Sequence, residues 1–311
     1  MESHLVVWTY QEINGPLPNH ESLARDVALG YSAVFGGEAF KTMLQAVTTI
    51  LRSGSRNGYR VYAAVDSQGR AGALAVVSDT EDAREFSILH AIPGSAGLQA
   101  GETLIHGLTS ETRSGTPLRP IVADTLLTGD VPWDNILTRA GFTMTRRLRM
   151  RAPLSTIPNL PSDMDIHTPS AADDLKPVAK CMVESYADSP DRVLHPEMRD
   201  VDVAERYLRR LLLNGATLIT LHDAKADPVS GGLIEMTFPG NAFLLYLFTR
   251  PGQRRQGFAD RVLVRLKRVA AVRYVASRMW LCVSAGNPAL EFYHHSLFEF
   301  AGEQPAFYWT P

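Results

Sequence analysis

The sequence predicts an α/β protein of the α+β kind, made of two similar halves in tandem, each a mixed and mostly antiparallel central sheet flanked by helices. Three observations carry this expectation. The order of elements repeats, each half reading helix, helix, three strands, helix, strand, helix, strand. Within a half the strands are joined by short turn-forming links, which suits antiparallel pairing. Between the halves, Ala152 to Asp163 carries three prolines and no hydrophobic period. Proline fixes φ and lacks an N–H donor, so neither a helix nor a central strand fits there. The expected division is residues 1–152, a linker over 153–162, and residues 163–311.

In the second half, Ile166-His167 reads as a short strand, followed by helices over Ala171–Tyr186 and Val201–Asn214, the latter with Val203, Tyr207 and Leu211 as an apolar stripe. Apolar, partly β-branched runs at Ala216–His222, Gly231–Phe238 and Ala242–Thr249 predict a meander, because Asp223–Pro228 and Pro239–Asn241 between them are turn-forming. A helix over Ala259–Ser277, a strand at Met279–Val283, a helix over Pro288–Ser296 and a strand near Ala306–Trp309 complete the half. The first half repeats this with helices at Ala24–Phe35 and Gly37–Leu51, then strands at Tyr59–Val65, Ala71–Ser78 and Arg84–Ile92. A helix at Gly101–Arg113, a strand at Pro120–Ala123, a helix at Trp133–Arg139 and a strand at Thr143–Met150 follow.

Composition narrows the function. A chain of 311 residues, 45% apolar and 21% charged, is that of a globular protein. Its longest nearly unbroken apolar run, Ala242–Phe248, is far short of the roughly 20 residues a membrane helix needs, and the opening Met1-Glu2-Ser3-His4 lacks the basic start of a signal peptide. A cytoplasmic protein is expected. Cys181 and Cys282 have no neighbours at metal-ligand spacing, so they predict buried thiols in a reducing compartment and no metal site. Net charge is −2, shared evenly by the two halves, so no global field favours nucleic acid or membrane.

Locally the charge is uneven. From Arg250 to Arg278 there are nine Lys/Arg and one acid, Asp260. That run begins at a strand-to-helix loop, Thr249-Arg250-Pro251-Gly252-Gln253-Arg254-Arg255-Gln256-Gly257-Phe258-Ala259, whose small residues Gly257 and Ala259 let backbone N–H groups approach a ligand closely. The following helix start favours an anion, and phosphate is the natural guest. Downstream, Asn287-Pro288-Ala289-Leu290-Glu291-Phe292-Tyr293 places Asn287 at a helix cap, with Tyr293 on the helix behind it.

The strand, the Arg-x-x-Gly-x-Ala loop, the long helix, the next strand and the Asn-Pro-Ala-Leu-x-Phe-Tyr helix together resemble the GNAT superfamily of acyl-CoA-dependent N-acyltransferases over residues 163–311. The resemblance implies that acetyl-CoA is the cosubstrate. Its pantetheine arm would lie along Leu247, Phe248 and Thr249, and backbone amides of Arg254, Arg255, Gln256, Gly257, Phe258 and Ala259 would hold the pyrophosphate. Asn287 and Tyr293 would stand near the pantetheine and sulfur, an oxyanion donor would come from Leu247, and Tyr293 would serve as general acid. Two positions depart from the family pattern: Asn287 lies two residues before Ala289 where three are usual, and Leu297 replaces a glycine after the helix. For the general base, Glu235 is the only acid in the three-strand core and ranks first, since an acid among apolar neighbours is costly without a partner or a task. Tyr246, His222 and His167 follow.

In the first half the corresponding loop, Ile92–Gly101, has no arginine, and Leu137 stands where Tyr293 stands in the second. Residues 1–152 are therefore expected to be a degenerate GNAT-like copy, with Gly97 and Gly101 still permitting an anion at the helix start. This layout resembles tandem two-domain members of the superfamily, of the mycothiol synthase kind and those of secondary metabolism. The expected activity is direct transfer of an acetyl group, in the second half, to a primary amine of a small molecule. The alternative is a non-catalytic acyl-CoA-binding sensor.

Overall fold

The computed structural model describes residues 6–56, 58–80, 82–115, 118–155, 157 and 166–311, so most of the expected linker lies outside the described residues. It is a mixed α/β fold with mostly antiparallel strands. The chain divides into two compact units, residues 1–145 with 305–311, and residues 146–304. This differs from a simple cut at the prolines, and hydrogen bonding explains it. The strand that ends the first half carries on into the second unit, and the strand that ends the second half finishes in the first.

The first unit contains β1 (Thr9–Glu12), α1 (His20–Phe35), α2 (Gly37–Ser53), β2 (Tyr59–Val65), β3 (Ala71–Asp79) and β4 (Arg84–Ala91). After these come α3 (Gly94–Ser114), β5 (Ile121–Ala123), β6 (Leu127–Thr128) and α4 (Trp133–Arg139). Strands β1 to β4 form an antiparallel meander. Residues Phe307–Trp309 add an antiparallel edge to β5. Apolar side chains of β2, β3 and β4 pack against Leu104, Ile105 and Leu108 of α3, with Trp133, Leu137 and Trp309 closing the core. The alternating burial of a half-exposed sheet is lost in β3, where Ala71–Val77 are all buried, because small residues let elements on both faces come close.

Besides β1, a strand the sequence reading lacks, two features of this unit depart from it. α3 starts at Gly94, not Gly101, so the segment expected as a loop, Ile92–Gly101, is mostly helix. Pro93, with its fixed φ, starts the helix only two residues after β4. Gly97 and Gly101 are accordingly buried helix positions. A Cβ on Gly97 would lie 1.6 Å from the Ile92 carbonyl oxygen, so this glycine serves the close turn and not a ligand. The second feature is β6, which the sequence reading lacks. β4 runs parallel to β5 only at Arg84 and Glu85, and β6 then takes the place beside β4, pairing Leu127 with Leu89 and Thr128 with His90.

The second unit begins within β7 (Thr143–Pro153), from Arg146 onward, followed by β8 (Ile166–His167), α5 (Lys176–Tyr186), 3-10 turns at Pro190–Leu194 and Pro196–Arg199, and α6 (Val201–Leu213). Then come β9 (Thr217–His222), β10 (Pro228–Phe238), β11 (Asn241–Thr249), α7 (Phe258–Arg273), β12 (Arg278–Ser284), α8 (Ala289–His295) and β13 (Glu299–Trp309). The expected meander is present as β9, β10 and β11. β12 lies between β11, to which it is parallel, and β7, to which it is antiparallel from Arg278↔Pro153 to Ser284↔Arg147. One face of the sheet packs on α7 through Ile234, Leu244, Leu263 and Leu281. The other packs on α5 and α6 through Leu218, Leu233, Tyr246, Met182 and Leu208. Asp200 caps α6, its carboxylate accepting from the N–H groups of Asp202 and Val203.

Candidate active site

β11 is hydrogen-bonded to β10 along its length, with two irregularities: between Met236 and Phe238 near its start, and between Leu233 and Ile234, which leaves Leu245 as an extra residue on β11. Such a bulge bends a strand and re-aims the residues beyond it. On its other edge β11 pairs with β12 only from Asn241↔Arg278 to Phe243↔Trp280. Beyond that row the two parallel strands separate, so the polar backbone edge of Leu244–Thr249 is not taken up by β12. A split of this kind presents N–H and C=O groups to an extended ligand carrying amides.

At the open end of the split, Thr249 leads through Arg250 and a 3-10 turn at Pro251–Gln253 to Gly257, which caps α7. Gly257 has φ of 78°, a left-handed conformation, and a Cβ there would meet nothing within 4 Å. The glycine thus supplies the backbone turn, beside open space. Arg255 shares the left-handed region at φ 65° without being glycine, at a cost of order 1 kcal/mol. No side chain caps α7. Its first-turn N–H groups, which lack intrahelical acceptors, therefore face outward with the positive end of the helix. The Arg254 guanidinium donates to the Ser185 carbonyl at 2.8 Å, tying the loop to the end of α5.

Tyr293 on α8 is buried, 9% exposed, against Phe298 and Phe292. Burial pushes its phenol well above the ordinary value, the Asp191 charge adds to this, and Arg147 opposes it. Asn287 is engaged on both polar ends: its amide donates to Asp191 at 2.8 Å, and its oxygen accepts the Ala289 N–H at 2.8 Å. It thus caps α8 despite the shortened spacing. Asp191 in turn accepts from the Ser284 N–H at 3.0 Å and from Arg147 at 3.2 Å. Leu297 keeps the left-handed turn of the glycine it replaces, with φ of 65°.

Glu235 lies opposite Phe243, in the last row where β11 and β12 still pair. It sits at the closed end of the split, and burial raises its carboxyl above the ordinary value. The rings of His167 and His222 lie tilted against each other, 4.3 Å between centroids, on the β8–β9 edge, where His222 also meets the Ala226 carbonyl and the Thr220 hydroxyl. Tyr246 stands elsewhere, on β11 within the open part of the split. Its hydroxyl donates to Glu197 Oε1 at 2.6 Å and lies 3.3 Å from both His195 Nδ1 and the Tyr207 hydroxyl.

Glu197, His195 and Asp191 come from the two 3-10 turns between α5 and α6, a segment in which the sequence offers no motif. The one local signal is His195-Pro196-Glu197, which puts an imidazole and a carboxylate within reach across a proline. Burial pushes the Glu197 carboxyl up, but hydrogen bonds from His195 and Tyr246 outweigh it and hold the group below the ordinary carboxylate range.

The first unit offers neither feature. β6 occupies the place beside β4 where the second unit is split, held by the Trp133 indole donating to the Thr128 carbonyl at 2.9 Å. Two residues, Ile92 and Pro93, connect β4 to α3, against eight between β11 and α7. Among the described residues no group of three or more His, Cys, Asp or Glu could hold a metal ion. No described helix is long and apolar enough to cross a membrane.

No family model matches the chain, and no curated protein sequence does. Solved structures do resemble it, and they show the fold: the GNAT N-acetyltransferase fold in a tandem arrangement. The chain is similar to a tandem GNAT protein from the clavulanic acid biosynthesis pathway, with 12% identity and a TM-score of 0.60 over 97% of this chain and 98% of that one. It is similar as well to a GCN5-related N-acetyltransferase from Sphaerobacter thermophilus, at 16% identity and a TM-score of 0.60, covering 97% and 95% of the two chains. A third, from Kribbella flavida, has 14% identity and a TM-score of 0.52 over 77% of this chain and 87% of its own.

Proposed function

We propose that the protein is an acetyl-CoA-dependent N-acetyltransferase that moves an acetyl group directly to a primary amine of a small molecule, with the chemistry in the second unit. One observation carries the reading: in that unit β11 and β12 separate after Phe243↔Trp280 and open toward a helix start that Gly257 caps without a side chain. An extended arm with amides suits the edge of Leu247, Phe248 and Thr249. A pyrophosphate suits the backbone from Arg254 to Ala259. The first unit, with its split filled and its loop two residues long, supports one coenzyme per chain.

Tyr293 is suited to the departing sulfur. A thiol has a reference pKa near 8.5, and a phenol raised above 10 will not give up its proton to it outright. Its contribution is a hydrogen bond that strengthens as negative charge grows on sulfur, the kind of interaction that lowers a barrier because it is made in the transition state. Asn287 acts on Tyr293 by fixing α8 rather than by touching ligand, since Asp191 and the helix cap occupy both its polar ends. A small amine without nucleic acid or membrane as partner, and a cytoplasmic setting, fit the near-zero net charge.

Acetyl-CoA titration by calorimetry, followed by thiol release over a panel of amines, tests the reading. Saturable binding at one site with turnover of at least one amine is expected. Binding with no turnover would favour the acyl-CoA sensor instead. Arg254→Ala should release the loop from the Ser185 carbonyl and weaken acetyl-CoA binding roughly tenfold, and unchanged affinity would show that this tie does not position the loop.

A further inference from the structure

We infer that Arg149, on β7, binds a carboxylate carried by the acceptor, so that the small molecule acetylated is an amino carboxylate. This rests on the transferase reading above and narrows its substrate.

Alternation along β7 places the side chain. Leu148, Met150 and Ala152 pack with α7, so Arg147, Arg149 and Arg151 project from the opposite face of the sheet, the side of α5. Their partners on β12 are Ser284, Cys282 and Trp280. β12 leaves β11 after Trp280, so Cys282 belongs to the stretch that borders the open split. Arg149 pairs directly with Cys282, one strand spacing of roughly 4.8 Å behind that border. Its guanidinium lies within charge reach of the Cys282 thiol. Cys282 is two residues beyond the last joined row, Phe243↔Trp280, as Leu245 is on β11, and Leu247 follows two further on.

The three arginines of this strand face have different surroundings. Arg147 is buried and answered by Asp191 and the Cys282 carbonyl. Arg151 is exposed, its guanidinium 5.9 Å from the centre of the Trp280 ring. Arg149 is half-buried, and its Nε and Nη1 are shielded from solvent and find no acceptor among the described residues. Gly302 leaves the third nitrogen room, since a Cβ there would stand 2.8 Å from Nη2. A cation withdrawn from water without a counter-charge is unfavourable, and burial pushes this guanidinium below its ordinary value, with Cys282 opposing. A thiol is a weak acceptor and does not meet that need. A carboxylate does, because its two oxygens match the parallel N–H groups of a guanidinium.

Charge on the rest of the face favours an amino carboxylate over a phosphate. Glu235, Phe243, Trp280 and Arg151 form one row across β10, β11, β12 and β7. Glu235 shares the face of Arg149, because its neighbours Ile234 and Met236 pack toward α7. A phosphate dianion calls for more than one close cation, and Arg147 is already engaged. A molecule with one carboxylate and one amine is matched at both ends, its carboxylate on Arg149 and its amine toward the split.

The test compares amino carboxylates with the amines that lack the group: alanine with ethylamine, phenylalanine with phenethylamine, lysine with cadaverine, and 4-aminobutyrate with propylamine. Thiol release from acetyl-CoA gives kcat/KM for each. At least one pair should favour the carboxylate by roughly 100-fold in the wild type, the scale of a hydrogen bond to a buried charge. In Arg149→Met, which keeps much of the length and removes the charge, that ratio should fall to within about threefold of one, chiefly through KM. A wild-type ratio near one for every pair, or a preference that survives Arg149→Met, would overturn the assignment. So would a carboxylate requirement that lies on the acyl group, with succinyl-CoA preferred to acetyl-CoA and the preference lost in Arg149→Met. Thermal unfolding separates recognition from a structural role. Arg149→Met should melt at the wild-type temperature or above it, because the charge it removes has no counter-charge in the protein, and a Tm lower by several degrees would overturn the assignment. A wild type that binds acetyl-CoA and acetylates no amine removes the transferase reading. Calorimetric titration of the same amino carboxylates then decides for Arg149 alone: binding lost in Arg149→Met supports the carboxylate site, and binding that is absent or equal in the two proteins overturns it.

Discussion

Single residues decide whether this scaffold can do chemistry. Tyr293→Phe keeps the ring that packs on Phe298 and deletes only the hydroxyl. Turnover is expected to fall roughly 10- to 100-fold with acetyl-CoA affinity retained; calorimetry beside steady-state kinetics would show it, and a matching loss of affinity would contradict it. In the first unit His90 is 2% exposed and meets the Thr128 hydroxyl at 3.0 Å, and burial pushes its imidazole down to about 4. The unfolded chain takes up that proton near 6.5 while the native one resists it. The stabilisation is therefore present above about pH 6.5 and drains away as pH falls toward 4, by about 3 kcal/mol at most. Urea unfolding between pH 4 and 8 should show this slope in the wild type and a flatter one in His90→Leu. Cys181 is fully buried and burial lifts its thiol to about 11, so it should resist alkylation until the chain unfolds. Tyr293 and Gly257 are legible in the sequence as motif positions. Glu197 is not, because nothing in Pro196-Glu197-Met198 distinguishes a buried acid from an exposed one until Tyr246 arrives from 49 residues away.

At the scale of elements, the two units diverge at one joint. β11 and α7 are separated by a loop long enough to turn twice through left-handed backbone, at Arg255 and Gly257, whereas β4 and α3 are joined through Ile92 and Pro93 alone. β6 then supplies the hydrogen bonds a ligand would otherwise make with β4. Calorimetric titration should return one acetyl-CoA per chain, and two equivalents would contradict the filled split. Gly257→Val is the complementary change. A β-branched residue at φ 78° is strained by about 1 kcal/mol or more, so the loop should rearrange and acetyl-CoA affinity fall at least tenfold while Tm moves little. The sequence reading anticipated a damaged loop in the first half from its missing arginines. It misplaced the helix start by seven residues, because glycines at 97 and 101 look like a phosphate loop and are packing positions instead.

For the whole molecule, the ends of the two halves are exchanged in the chain. Arg146–Pro153, from the first half, completes the second unit beside β12, and residues 305–311 complete the first beside β5. Arg147 is part of this: only 4% exposed, its guanidinium donates to the Cys282 carbonyl at 2.8 Å and to Asp191, which holds Asn287 and hence α8. Expressed alone, residues 163–311 should fail to give a cooperative unfolding transition or bind acetyl-CoA, since β12 loses a strand and Asp191 its buried cation. Residues 1–155 and 166–311 produced as separate chains in one cell should co-purify and regain acetyl-CoA binding. A stable, coenzyme-binding 163–311 fragment would contradict this.

Most of the order of elements, the twofold repeat, the loop before α7 and the tyrosine of α8 are legible in the sequence alone, because hydrophobic periodicity, turn chemistry and helix starts are local properties of a chain. Which strand completes which unit, that β6 fills one split and leaves the other open, and that a carboxylate from a motifless turn meets Tyr246 beside the open one, were decided by tertiary structure. Those outcomes depend on hydrogen bonds between residues tens to more than a hundred positions apart, whose partners are chosen only when the sheet assembles.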